Sequence, residues 1–223
     1  MQNFFGAVLI IILAFPGASV GQAQSITQFQ ANLAAGNLNS NPPSSATGTA
    51  TFTLTEPTDG SPTLDYSIQF SGLDLNATGI LPNGHDPVIS NQTTDQMDDV
   101  WGIHIHHAPS GSVGPHVLNV IGRPANDDGD IVPDFGNNSL TGLWDDTDTF
   151  GTSPPDSKPL TNFLQELHHE ELFLIIHSWG RDNGSGLGGG ATIGGRIELV
   201  PEPATMSLVF LAMLCVLYRF RRR

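Results

Sequence analysis

The stretches "TATFTLT" at residues 49–55 and "LDYSIQF" at residues 64–70 alternate apolar and polar side chains with a period of two. Successive side chains of a strand point to opposite faces, so this pattern suits a sheet with one buried and one wet face. Candidate strands are Ser25–Leu33, Gly48–Leu54, Leu64–Phe70, Val100–His106, His116–Val120, Leu172–His177 and Ala191–Leu199. Gly, Pro and Asn turns separate them, and long helical patterns are few. The continuous apolar run "LFLIIH" fits a central strand. Short strands of this number predict an all-β, antiparallel sandwich or flattened barrel. One short helix is predicted from Leu160 to Leu167. The polar, turn-rich stretch from Gly122 to Pro159 reads as long surface loops rather than core. Its acidic clusters, "NDDGD" and "WDDTDTF", offer oxygens to Ca²⁺ but lack regular ligand spacing, so they read as solvated charge.

The ends have a different composition. Residues 1–23 carry an apolar run from Phe4 to Phe15, then Gly21 and Ala23 in a small-x-small arrangement, as a cleaved export signal does. At the other end Met206 to Tyr218 is apolar. As a helix it is about 20 Å long at ~1.5 Å per residue, short for a ~30 Å hydrocarbon core. Arg219, Arg221, Arg222 and Arg223 follow and favour the cytoplasmic side. A single domain, residues 24–200, is left between signal and tail, large enough for its own core.

Four of the eight basic residues and one of the 22 acids lie in the tail, so the domain carries a net charge near −17. That balance argues against nucleic acid or an anionic membrane surface as partner. The only cysteine, Cys215, is in the tail, so the domain has no disulfide.

"WGIHIHHAPSGSVGPH", residues 101–116, holds four of the eight histidines. On a strand His104 and His106 share a face and His107 takes the other. His116 follows a Gly-Pro turn, and His177 ends "LFLIIH". Two imidazoles two residues apart can converge on one ion at ~2.0 Å each, and neutral imidazole suits copper and zinc. His104, His106, His116 and His177 are therefore the candidate metal ligands. His168 and His169 stand beside Glu170 and Glu171 at a helix end, where dipole and solvent account for them. His85, in a loop, is assigned no role.

Three resemblances follow from these residues. Pro201, Glu202 and Pro203, the apolar segment and the terminal arginines closely resemble the PEP-CTERM sorting signal of Gram-negative bacteria. That resemblance implies processing by an exosortase-type enzyme, transient inner-membrane association through a short transmembrane helix, and delivery to the cell surface or extracellular matrix. Exopolysaccharide is the partner such company implies. "FQANLAAGNLNSNPPSSATGTATFTL", "LDYSIQFSGL", "GIHIHHAPSGSVGP", "LFLIIHS" and "GGRIEL" occur in the order of the chordin-type (CHRD) domain, which they resemble from about Ile26 to Val200. This implies a β-rich extracellular module, a non-enzymatic binding or structural unit.

The histidine order also resembles that of copper/zinc superoxide dismutases, which hold copper by a His-x-His strand, a Gly-Pro-His turn and a later strand ending in His. That implies a Greek-key-like sandwich, of superoxide-dismutase or immunoglobulin type, with copper at His104, His106, His116 and His177. "VPDFGN" is similar to the dismutase segment with the zinc carboxylate, making Asp134 its equivalent, and Arg196 is a candidate anion guide. No histidine lies from Val117 to Pro133, however, so zinc is not expected. Two functions stay open: a non-enzymatic surface module, or a copper-dependent, dismutase-like protein.

Overall fold

A computed structural model describes residues 24–39, 44–75, 98–110, 114–121, 130–148, 159–178 and 191–201. The strands are β1 (Ser25–Ala34), β2 (Thr47–Glu56), β3 (Thr63–Ser71), β4 (Val100–His107), β5 (His116–Ile121), β6 (Val132–Asp134), β7 (Ser139–Trp144), β8 (Leu172–Ser178), β9 (Ala191–Arg196) and β10 (Glu198–Leu199). Nine of them run in the order β5-β4-β8-β9-β1-β2-β3-β7-β6, with β10 on β1, and every strand pairing is antiparallel. The sheet curls into a half-barrel, the all-β architecture expected from the alternation.

The alternating segments behave as their period requires. β1 and β2 pair along their whole length, from Ser25 opposite Glu56 to Ala34 opposite Thr47. Their inward residues Phe29, Ala31, Leu33, Ala50, Phe52 and Leu54 are buried, as are Leu64, Tyr66, Ile68 and Phe70 of β3. Ile103 and Ile105 of β4, Leu172, Leu174 and Ile176 of β8, and Ile193 of β9 complete the same core. The 3-10 turn Leu160–Phe163 runs into the five-residue helix α1 (Leu164–His168), and Leu160, Phe163 and Leu167 pack into that core. Burial of this apolar area is the main stabilising term in a chain without disulfides.

Two expectations need correction. The Gly122–Pro159 stretch is not only surface loop, because it contributes β6 and β7, and Leu140 and Trp144 are fully buried. The expected Ala191–Leu199 strand is two strands, with Ile197 between them inserted into the core.

Candidate metal centre

β4 lies between β5 and β8, and its two faces have different jobs. Ile103 and Ile105 point into the core, so His104 and His106 point out of it. Their neighbours supply two more imidazoles on this outer face. His116 of β5 stands opposite His106, and His177 of β8 stands opposite Gly102. One ligand nitrogen each from His104, His106 and His177 lies within 4.8 Å of the others. Three bonds of ~2 Å to one ion hold their donor atoms about 3.3–3.5 Å apart, so the rings would have to draw together to share it. His116 is outside that group of three, but its ring centroid is 4.3 Å from both His104 and His106. His104 and His177 are 4.9 Å apart by the same measure.

The local sequence fixes these rings. The Gly114-Pro115 turn returns the chain beside β4, with the His107 amide donating to the Pro115 carbonyl at 3.0 Å. A Cβ at Gly114 would overlap the His107 carbonyl, so only glycine fits the turn. The Gly114 carbonyl accepts from His106 Nδ1 at 2.9 Å, and Asn119 Oδ1 accepts from His116 Nδ1 at 2.8 Å. Bonding the outer nitrogen leaves Nε2 as the lone-pair nitrogen of each ring, as a metal-binding imidazole requires. Gly102 leaves room for His104, since a Cβ there would sit 3.2 Å from His104 Nε2.

Burial holds the two central rings neutral. Desolvation pushes His104 well below its ordinary pKa, helped by repulsion from His177, His116 and His106 and opposed by the Ile121 backbone. Desolvation lowers His106 to about 4, against the opposing bond to Gly114, with His116 and His177 adding to the shift. Nε2 of His106 is buried with no hydrogen-bond partner, and both nitrogens of His104 are buried with none of good geometry, the Ile121 backbone making only a loose approach to that ring. Leaving a buried polar group unsatisfied costs about 1–3 kcal/mol. A cation bound by lone pairs removes part of that cost, so the donor set fits a borderline transition metal such as copper.

The remaining candidates are engaged elsewhere. Asp134 is fully exposed, and its carboxylate accepts from Gly136 N, Asn137 N and Asn137 Nδ2. It caps a turn and is not part of the histidine group. The Arg196 guanidinium donates to the Glu170 carbonyl at 2.6 Å, tying β9 to the end of α1 rather than facing an ion. His107 pairs with Glu171 at 3.2 Å and His168 with Glu56 at 3.4 Å. In "WDDTDTF", Asp145 accepts from Thr147 and Asp146 accepts from Thr161, so these carboxylates staple turns. His85 and the sorting-signal residues Glu202, Pro203, Arg219, Arg221, Arg222 and Arg223 lie outside the described residues, as do segments 1–23 and 206–218. Among the described residues no helix is long and apolar enough to cross a membrane.

Sequence reasoning missed three features. Trp101 enters the site because the register slips between Val100 and Gly102, and its ring lies 5.1 Å from His177 and 6.3 Å from His104. Asn119 is the second. The third is a group of carboxylates, Asp74, Asp98 and Asp99, brought within 4.8 Å of one another where Asp74 and Asp99 form an isolated parallel bridge.

Fold and site together define an all-β module with a largely buried histidine cluster on the outer face of its sheet. The CHRD domain model matches residues 29–185, and the chain belongs to the CHRD-domain family. The PEP-CTERM protein-sorting motif matches residues 199–223. That motif marks the chain for export and for C-terminal processing by an exosortase-type enzyme, in keeping with a cell-surface or extracellular location. No curated protein matches the sequence.

Proposed function

We propose that this exported CHRD module binds copper at His104, His106, His116 and His177 and acts by holding the ion at the cell surface, without catalytic turnover. The convergence of three buried imidazole nitrogens supports this reading most directly. Two further features agree with it: the fixed outer nitrogens of His106 and His116, and the neutral state that burial enforces on His104 and His106. When bound, copper would supply a one-electron couple and a Lewis acid. The four histidines would bind and orient it, with the Trp101 ring beside His177 and His104.

A dismutase has weaker support. Its zinc carboxylate equivalent, Asp134, is committed to a turn, and Arg196 is committed to Glu170. A net charge of −14 over the chain also repels an anionic substrate. Attachment to exopolysaccharide rests on the sorting motif alone.

The test is metal content. The full chain, purified after copper loading and dialysis, is expected to retain one copper ion, and the double variant His104→Ala/His177→Ala to lose it while keeping its β-sheet circular dichroism. A wild-type chain that retains no copper, or a folded double variant that retains as much, would overturn the proposal. A superoxide-decay assay on the loaded protein, run with a chelator that removes free copper, is expected to show no decay beyond that of the metal-free chain.

A further inference from the structure

The bonded outer nitrogens in this pocket end on neutral oxygens. His106 Nδ1 donates to a backbone carbonyl, Gly114, and His116 Nδ1 to a side-chain amide, Asn119. Metal-binding imidazoles often donate instead to a carboxylate, whose charge offsets that of the ion. Here, among the described residues, the converging group contains histidine only. Asn119 is fully buried, stands opposite His104 across the β4–β5 pair, and occupies the place where Asp would provide that charge.

The charge of the bound ion then decides the energetics. The desolvation cost of a buried ion grows with the square of its charge, so a divalent ion costs roughly four times a monovalent one in the same surroundings. Neutral ligands and neutral outer partners do nothing to compensate. We infer, building on the copper reading above, that Asn119 and the Gly114 carbonyl bias this pocket toward a monovalent ion, Cu(I), over divalent Cu(II) and Zn(II). Asn119 is a positioning residue, acting through His116. The couple is Cu(II) + e⁻ → Cu(I), with the electron supplied by an external one-electron mediator. The same imidazole lone pairs would hold both oxidation states, so no protein bond is made or broken.

The experiment is a mediated redox titration of the copper-loaded full chain, followed by loss of the Cu(II) electron paramagnetic resonance signal. The wild-type midpoint is expected above that of the aqueous copper couple. Asn119→Asp places a carboxylate of the same shape on His116 Nδ1. It should keep the copper content and shift the Cu(II):Cu(I) affinity ratio at least tenfold toward Cu(II), a fall of about 59 mV for one electron. A wild-type midpoint at or below the aqueous couple, or a copper-loaded Asn119→Asp chain with an unmoved midpoint, would overturn the inference.

A second measurement needs no variant. Wild-type protein should hold Cu(I) against bicinchoninate while yielding Zn(II) to a chelator of matched strength, and equal retention of both would overturn the inference even if Asn119→Asp fails to fold. A chain that takes up no copper in either state defeats the copper reading itself, whereas one that takes up copper but prefers Cu(II) defeats only the preference argued here.

Discussion

At His106 two opposing influences meet, and burial wins. The Gly114 carbonyl favours the protonated ring, yet desolvation and the neighbouring imidazoles lower its pKa from 6.5 to about 4. The unfolded chain takes up a proton at this residue as the pH falls through 6.5, and the folded chain does not until about 4. Stability from His106 is therefore complete above 6.5, erodes between the two values and is lost below the lower one. Over that window the loss is about 3 kcal/mol at ~1.4 kcal/mol per pH unit. His104 shifts in the same direction and steepens the fall. Urea unfolding of the metal-free protein between pH 7.5 and 4.5 should show this slope, and His106→Gln should reduce it by about one proton. If the variant keeps the wild-type slope, His106 is not the group that titrates.

Among the elements, the sequence is legible where strands are regular and illegible where they are not. β1, β2 and β3 follow strict alternation, and their inward residues could be named from the period alone. β5 does not. In "HVLNVI" the register slips twice against β4, so Val117, Leu118, Val120 and Ile121 all reach the core while His116 and Asn119 share the outer face. Bulges re-aim side chains in this way, and a period-two reading cannot find Asn119 as the partner of His116. The same device hides Trp101 on β4. The four histidines were legible because their order in the chain survives these slips.

β7 was missed for a packing reason. Its inward positions are Leu140, Gly142 and Trp144, and the middle one is glycine because Tyr66, directly opposite, fills the space. A Cβ at Gly142 would fall against the Tyr66 hydroxyl and ring. Gly142→Ala is thus expected to destabilise the domain by about 1–3 kcal/mol, as overpacking does. The readout is a lower urea midpoint with an unchanged m value. An unchanged midpoint would mean that Tyr66 moves aside without cost.

For the whole molecule, the fold and the sorting motif share a boundary. The motif begins at residue 199, yet Leu199 pairs with Phe29 on β1 and the Val200 amide donates to the Gln28 carbonyl at 2.9 Å. Just before them, Ile197 is fully buried in the core. The domain therefore reaches up to Pro201, and processing that leaves it folded has to cut beyond that point. Two truncations separate sorting from folding. A chain ending at Pro201 keeps β10 and Ile197, so it should unfold at the same temperature as the full chain, be exported, and appear in the medium instead of at the surface. A chain ending at Arg196 loses β10 and a core isoleucine, and removal of such a side chain costs about 2–5 kcal/mol. That chain should show a lower melting temperature or be degraded. Surface fractionation and thermal unfolding of the two chains give the answer. Equal stability of both would mean that β10 is an accessory of the tail, and surface retention of the Pro201 chain would mean that something other than the sorting motif holds the protein there.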